Sequence, residues 1–142
     1  VKSEPCWTAM VAFESRVDAP DTLADEGAIG WAARNSAKPG RDADRECWVI
    51  QANPRWSRAQ LEREAENVGE ELLAHFARAV GDLPPVLFSS AHRWRYAKCE
   101  KNDAGALWDA GLSIGVCGDW LSGPRIENAF LSGLALARRI AG

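Results

Sequence analysis

Residues 61–80, LEREAENVGEELLAHFARAV, carry the clearest helical pattern in the chain. Apolar side chains recur along one side at every third or fourth position: Leu61, Ala65, Val68, Leu72, Phe76 and Val80. Ser57 and Gln60 fit a capping box at the start of this helix, and Gly81 is a suitable residue to end it. The pattern predicts one amphipathic helix that covers one face of a sheet.

Apolar segments on either side of this helix have the two-residue period of β-strands. They span residues 6–13, 28–34 and 47–52 before the helix, and 86–98 and 112–117 after it. Loops join the first three strands, which is typical of an antiparallel meander. Segment 6–13 is apolar on both faces and is therefore expected to be covered on both sides. In segment 28–34 the alternation predicts a bulky face of Ile29, Trp31 and Ala33, and a nearly bare face of Ala28, Gly30 and Ala32.

A last helix is predicted over residues 125–140, with Gly123 and Pro124 as its N-cap and first position. It is apolar nearly all round, which favours burial on more than one side. The fold class is therefore α+β: an antiparallel, meander-like sheet, one amphipathic helix on a face and a buried C-terminal helix, in the order β-β-β-α-β-β-α. Residues 1–110 would form the sheet and its helix, and residues 111–142 a strand-turn-helix, together one compact unit. This apolar surface exceeds what the chain can cover, so we expect self-association, with a homodimer as one form.

Composition excludes several classes of partner. A chain of 142 residues with 46% hydrophobic and 26% charged residues is ordinary for a globular domain. The net charge of −3 argues against nucleic-acid or anionic-membrane binding, since both require a basic face. No segment is long and apolar enough for a membrane helix, and the first residues do not resemble a signal peptide. We therefore expect neither a nucleic-acid nor a membrane partner.

The four cysteines are Cys6, Cys47, Cys99 and Cys117. Their wide spacing fits neither a metal site nor a disulfide scaffold. We interpret them as reduced core thiols of a cytoplasmic protein and expect no metal.

The segment from Gly115 to Gly133, GVCGDWLSGPRIENAFLSG, has the strongest chemical pattern. A strand that ends in Gly118-Asp119, followed by a turn into a helix, places a carboxylate beside unsatisfied backbone N–H groups. Such a site suits a phosphate or the edge of a flavin ring, although a plain strand-turn-helix explains the same residues. Ala129 and Gly133 would allow another backbone or a cofactor to approach the helix closely.

This segment resembles the second FAD-contacting motif of the renalase and amine-oxidase superfamily, in which a helix of the form E-x-A-x-x-S-G follows a Gly-Asp. WAARNSAKPGR at residues 31–41, HRWRYA at 92–97 and Trp56-Ser57 are similar to the renalase-like branch. The Gly-x-Gly-x-x-Gly turn that cradles the FAD pyrophosphate in that family is absent from this sequence. The resemblance therefore covers the C-terminal half of such a flavoprotein, with its N-terminal FAD-binding half as the missing partner.

The resemblance implies an oxidoreductase that oxidises a dihydronicotinamide-like or an amine substrate, with O2 as the acceptor. It places Gly118 and Asp119 near the ribityl-pyrophosphate of FAD. Arg125, Ile126 and Glu127 would present backbone N–H groups to the flavin ring. The bare face of segment 28–34 is a further candidate contact. The chain alone is expected to hold no FAD and to be inactive, and no catalytic residue is assigned.

His92, Trp94 and Tyr96 share one face of the strand 86–98, and Arg93 and Arg95 the other. An aromatic row suits a flat or cationic substrate, but it also suits a protein core. The arginines fit either a phosphate-bearing substrate or an ordinary surface. A different class of function also remains open, a free-standing, non-catalytic α+β module that binds a ligand or a second copy of itself.

Overall fold

The structure is a computed structural model that describes residues 2–42, 44–100 and 102–142. Its contacts divide the chain into two units. One unit is Pro5–Arg95, and the other is Tyr96–Gly142 together with the first residues up to Glu4. The division falls after Arg95, whereas the sequence placed a boundary after residue 110.

A five-stranded sheet dominates the unit Pro5–Arg95. Its strands are β1 Ser3–Phe13, β2 Thr22–Glu26, β3 Ile29–Arg34, β4 Glu46–Ala52 and β5 Val86–Cys99, in the spatial order β2-β3-β4-β1-β5. β2, β3 and β4 form an antiparallel meander, and β1 pairs antiparallel with β4. The predicted α+β class with an antiparallel sheet is confirmed. β2 lies in a segment predicted as loop, because this edge strand is polar and largely exposed.

Two helices follow β4, where the sequence predicted one. α1 is Pro54–Ala59 and α2 is Ala65–Val80. The capping box at Ser57 is wrong: Asn53 caps α1 by accepting a hydrogen bond from the Trp56 N–H. Ser57 lies buried inside α1, and its hydroxyl accepts the Trp7 N–H at 3.1 Å. This tertiary contact uses the oxygen that a local cap would have needed.

The core lies between α2 and one face of the sheet. Val68, Leu72 and Phe76 of α2 are completely buried there. The Phe76 ring packs 4.9 Å from that of Trp48 on β4. The predicted apolar stripe is therefore confirmed from Val68 to Phe76, whereas Ala65 is exposed and Leu61 lies before the helix. The predicted end of the helix is confirmed, since Gly81 has a positive φ of 94° directly after Val80.

A β-bulge changes which side chains of β3 face the core. The register with β4 shifts between Ile29 and Trp31, so that Ile29 and Ala32 both pack in the core while Trp31 lies on the opposite face. The bare face predicted for Ala28, Gly30 and Ala32 is therefore wrong. Ala32 is completely buried, and a Cβ on Gly30 would come 3.1 Å from the Asn53 backbone.

The unit that ends the chain contains a short hairpin and a helix. β6 Leu107–Asp109 pairs antiparallel with β7 Ile114–Val116, and α3 is Ile126–Ala141. α3 packs closely on the hairpin, because a Cβ on Gly115 would meet the Leu136 side chain at 2.7 Å. The predicted last helix is present, but Arg125 is its N-cap, and Gly123 and Pro124 belong to the preceding turn.

The apolar side chains of α3 are largely exposed, which corrects the expectation of a buried helix. Ile126 is 89% and Phe130 71% exposed, and Ser132 is the buried residue of this helix. Among the described residues of this unit, the hairpin contacts one side of α3 and nothing covers the remaining apolar side.

Two smaller expectations are also corrected. Met10 on β1 stays 41% exposed, so this strand is not covered along both faces. The four cysteines are free thiols, but Cys6 is buried, Cys47 and Cys99 are partly buried, and Cys117 is exposed. Among the described residues, no helix has the length and apolarity required to cross a membrane.

Candidate functional site

The face of the sheet opposite α2 forms a groove across β1, β4 and β5. The groove has a volume of about 530 Å³, within the range of small-molecule sites. Its lining is apolar apart from hydroxyl, amide and imidazole groups: Thr8, Met10, Val49, Gln51, Ser90, Ala91, His92 and Trp94. None of these side chains is an acid, a lysine or an arginine. We call this feature the open-face groove.

The structure brings together two of the three predicted substrate residues. His92 and Trp94 both line the open-face groove, with ring centroids 4.5 Å apart and the planes at 65°. Trp94 is 54% exposed, so it is not part of the core. Tyr96 belongs to the other unit, is exposed, and is not among the residues that line the groove.

Arg93 and Arg95 point to the helix side of the sheet, where they meet an acid. Arg95 donates two hydrogen bonds to the Glu62 carboxylate, at 2.7 and 2.8 Å. Arg93 lies over the Trp7 ring at 5.5 Å and donates to the Leu61 carbonyl. The hydrogen bond from Arg95 holds the pKa of Glu62 below its ordinary value. This ion pair favours the surface interpretation of the two arginines over phosphate binding.

Arg34 is a buried residue with a role that the sequence did not reveal. Its guanidinium donates to Glu46, to Asp21 and to the Val17 carbonyl, and it lies 4.8 Å from the ring of Trp48. Burial alone would raise the pKa of Glu46, but hydrogen bonds from Trp48, Arg34 and the Val17 N–H outweigh it and lower that pKa. This cluster fixes the loop between β1 and β2. Arg34 lies within the motif at 31–41, so the motif contributes a structural ion pair.

The turn that precedes α3 is fixed by Ser132. The Ser132 hydroxyl accepts the Gly118 N–H at 2.9 Å and donates to the Gly105 carbonyl. The serine of the E-x-A-x-x-S-G pattern therefore ties the Gly118 turn to the helix, a role that the sequence did not assign. The space beside Gly118 is filled by the Trp120 indole, 2.6 Å from where a Cβ would lie. A Cβ at this position would force the Trp120 indole to move, whether or not a cofactor approaches.

Asp119 follows in a short 3-10 turn, Asp119–Leu121, and its backbone carbonyl accepts the N–H groups of Ser122 and Gly123. Its half-buried carboxylate has no hydrogen-bond or ion-pair partner in the described part of the chain. Gly123 has a φ of 122°, a conformation that favours glycine. The Asn128 amide donates to the carbonyls of Ser122 and Gly123, at 3.3 and 3.1 Å, and holds the turn against α3.

The predicted cofactor residues lie at the exposed start of α3, with Arg125 as the N-cap and Ile126 and Glu127 in the first turn. The Arg125 N–H donates to the Gly123 carbonyl at 2.8 Å. Among the described residues no side chain caps the helix, so the N–H groups of Ile126 and Glu127 are free to donate. A Cβ on Gly133 would have open space around it, so no contact among the described residues requires a glycine at this position. These residues and the Gly118 turn all lie in the same unit.

In the described ranges no group of three or more His, Cys, Asp and Glu side chains is arranged to hold a metal ion. The groove residues on β1 and β4 were missed at the sequence level, because neutral side chains on separate strands have no local motif. No protein-family model matches the chain.

Proposed function

We propose that this chain is the substrate-side, C-terminal part of an FAD-dependent oxidoreductase of the renalase-like type. It would act on a dihydronicotinamide-like or an amine substrate, with O2 as the acceptor, in the cytoplasm. The observation that carries this proposal is the open-face groove, with the rings of His92 and Trp94 on one wall. A concave, largely apolar surface with a few neutral polar groups is the usual form of a site for a flat organic ligand.

The residues of the unit that ends the chain would suit one edge of a flavin but not the whole cofactor. The free N–H groups at Ile126 and Glu127 would suit an acceptor or an anionic group, and Asp119 offers an acceptor for a hydroxyl or an N–H. A helix N-terminus contributes about 0.3–2 kcal/mol, too little to hold a dinucleotide by itself. The pyrophosphate clamp would come from the N-terminal half implied by the resemblance. When bound, FAD would supply the redox chemistry, namely hydride transfer from the substrate and electron transfer to O2.

The residues of this chain would bind and orient rather than react. Trp94 offers a face or edge for a flat ring, while Met10 and Val49 exclude water from the floor of the groove. Ser132 and Asn128 keep the turn before α3 in one conformation. The proposal therefore assigns substrate binding to the sheet, and cofactor binding to the turn and α3.

The test is to express the chain with the coding sequence that precedes it, and to measure bound flavin and O2 uptake. We expect a yellow protein that consumes O2 with a dihydronicotinamide or an amine substrate. Asp119→Ala should lower the flavin content, whereas His92→Ala should leave flavin bound and change turnover. A preceding sequence without a dinucleotide-binding unit, or a colourless product, would contradict the proposal. The free-standing binding module would then be favoured by the same groove and by the exposed face of α3.

A further inference from the structure

We infer that Gln51 determines the specificity of the open-face groove by forming hydrogen bonds with the amide-like edge of a neutral, planar ring. This inference rests on the proposed function, because it takes the groove as the substrate site and narrows what that site accepts. It begins from the charge of the lining, since the lining contains no acid, lysine or arginine.

A lining without an acid, a lysine or an arginine disfavours a charged ligand. Moving an ion from water into a partly apolar groove has a large cost unless an opposite charge pairs with it. Glu62 is on the helix side of the sheet, where Arg95 binds it. Arg93 and Arg95 are likewise on that side. A protonated amine therefore meets no carboxylate in the groove, and a carboxylate ligand meets no guanidinium.

Gln51 is the groove residue whose side chain is a carboxamide, with an acceptor oxygen and an NH2 donor side by side on one planar group. It is partly buried on β4, directly paired with Thr8 of β1 and Trp31 of β3 in the sheet register. Its amide makes no hydrogen bond with any other residue in the part of the chain that the structure describes. A half-buried amide without a partner is available to a ligand. Its geometry matches a group that presents C=O and N–H side by side, as a carboxamide or a lactam does.

The other groove residues complete the site around this amide. Trp94 and His92 form an aromatic wall, and Met10 and Val49 form an apolar floor. Such walls accept a ring face, and they give it no preferred rotation within its plane. The hydrogen bonds to Gln51 would fix that rotation, so that one edge of the ring always points to β4.

Three ligands with the same ring test this inference on the purified chain: benzamide, benzoate and benzylamine. We would follow the indole N–H of Trp94 and the side-chain amide of Gln51 by NMR during each titration. Benzamide is expected to bind with a millimolar Kd, as its size allows, and the two ions at least tenfold more weakly. Benzylamine or benzoate binding as tightly as benzamide would overturn the inference.

Substitutions at Gln51 then separate the amide from the groove. Gln51→Leu should weaken benzamide about tenfold and leave toluene unchanged, since toluene has no amide edge. Gln51→Glu should reverse the preference, so that benzylamine binds more tightly than benzamide. Because tighter binding is possible only in a folded groove, this result would also show that the variant folds. Gln60→Leu, at the other glutamine of the chain, is the matched control and should change no affinity. Unchanged benzamide binding in Gln51→Leu would refute the role of Gln51 alone, whereas no shift with any ring would refute the groove as the substrate site.

Discussion

Truncation of Trp94 to alanine distinguishes a residue that contacts a ligand from one that supports the fold. Because 54% of Trp94 stays exposed, the chain covers less than half of its surface. A fully buried Trp covers about 250 Å², so roughly 115 Å² is involved here, an upper limit of about 3 kcal/mol. The alanine that replaces it retains part of this burial, and we expect a loss of about 1–2 kcal/mol in the free energy of unfolding.

Trp48 is the matched control, since it is 1% exposed and packs on Phe76. Trp48→Ala should cost about 3–5 kcal/mol. Thermal unfolding should show the difference, with a Tm lower by about 4–8 °C for Trp94→Ala and by about twice that or more for Trp48→Ala.

Ligand binding should also respond to the loss of Trp94. Trp94→Ala should weaken benzamide about tenfold, a loss of about 1.4 kcal/mol, through the lost stacking area. In the longer flavoprotein the same change should raise KM or lower kcat by a similar factor and leave flavin bound. A variant that loses 3 kcal/mol or more of stability and binds benzamide normally would refute the reasoning, and His92 and Trp94 would then be architectural.

Three further predictions concern the ion-pair cluster, self-association and flavin content. Arg34→Met leaves the buried Glu46 carboxylate without its cation and should destabilise the protein by about 3–5 kcal/mol, whereas Arg63→Met at an exposed pair should cost under about 1 kcal/mol in the same urea titration. Because the pKa of Glu46 is lowered, its contribution is present above the unfolded-state pKa and is lost as pH falls through the folded-state pKa; Glu46→Gln should flatten this acid-side decline, and an unchanged pH profile would count against the cluster. The purified chain should self-associate in light scattering through the exposed side of α3, and Phe130→Ser should shift it towards monomer; a wild-type monomer at all concentrations would contradict this. The chain alone should also lack visible flavin absorbance after incubation with FAD and gel filtration, and stoichiometric retention of FAD would show that the missing clamp is unnecessary.

Local patterns in the sequence were sufficient for features that depend on neighbouring residues. The stripe of Val68, Leu72 and Phe76 identified α2 and the side on which it packs, because a helix places every third or fourth residue on one face. Gly81 marked the end of this helix for a similarly local reason. Alternation located β1, β3, β4 and β5, and the loops between the first strands indicated an antiparallel sheet.

Local patterns failed where a distant residue determined the outcome. Ser57 has the sequence of a cap, but the Trp7 N–H, fifty positions away, takes its oxygen. The acid partner of Arg95 is similarly remote, since Glu62 lies in the turn between α1 and α2.

The candidate site shows the same limit. The sequence placed His92 and Trp94 on one face of one strand, which the two-residue period determines by itself. Only the strand order put β1 between β4 and β5, and so brought Met10 and Gln51 beside that face. Only the bulge after Ile29 placed Trp31, rather than the predicted bare face of segment 28–34, on the side of the sheet opposite the core. Both depend on hydrogen-bond register between strands far apart in the chain, which no local period encodes.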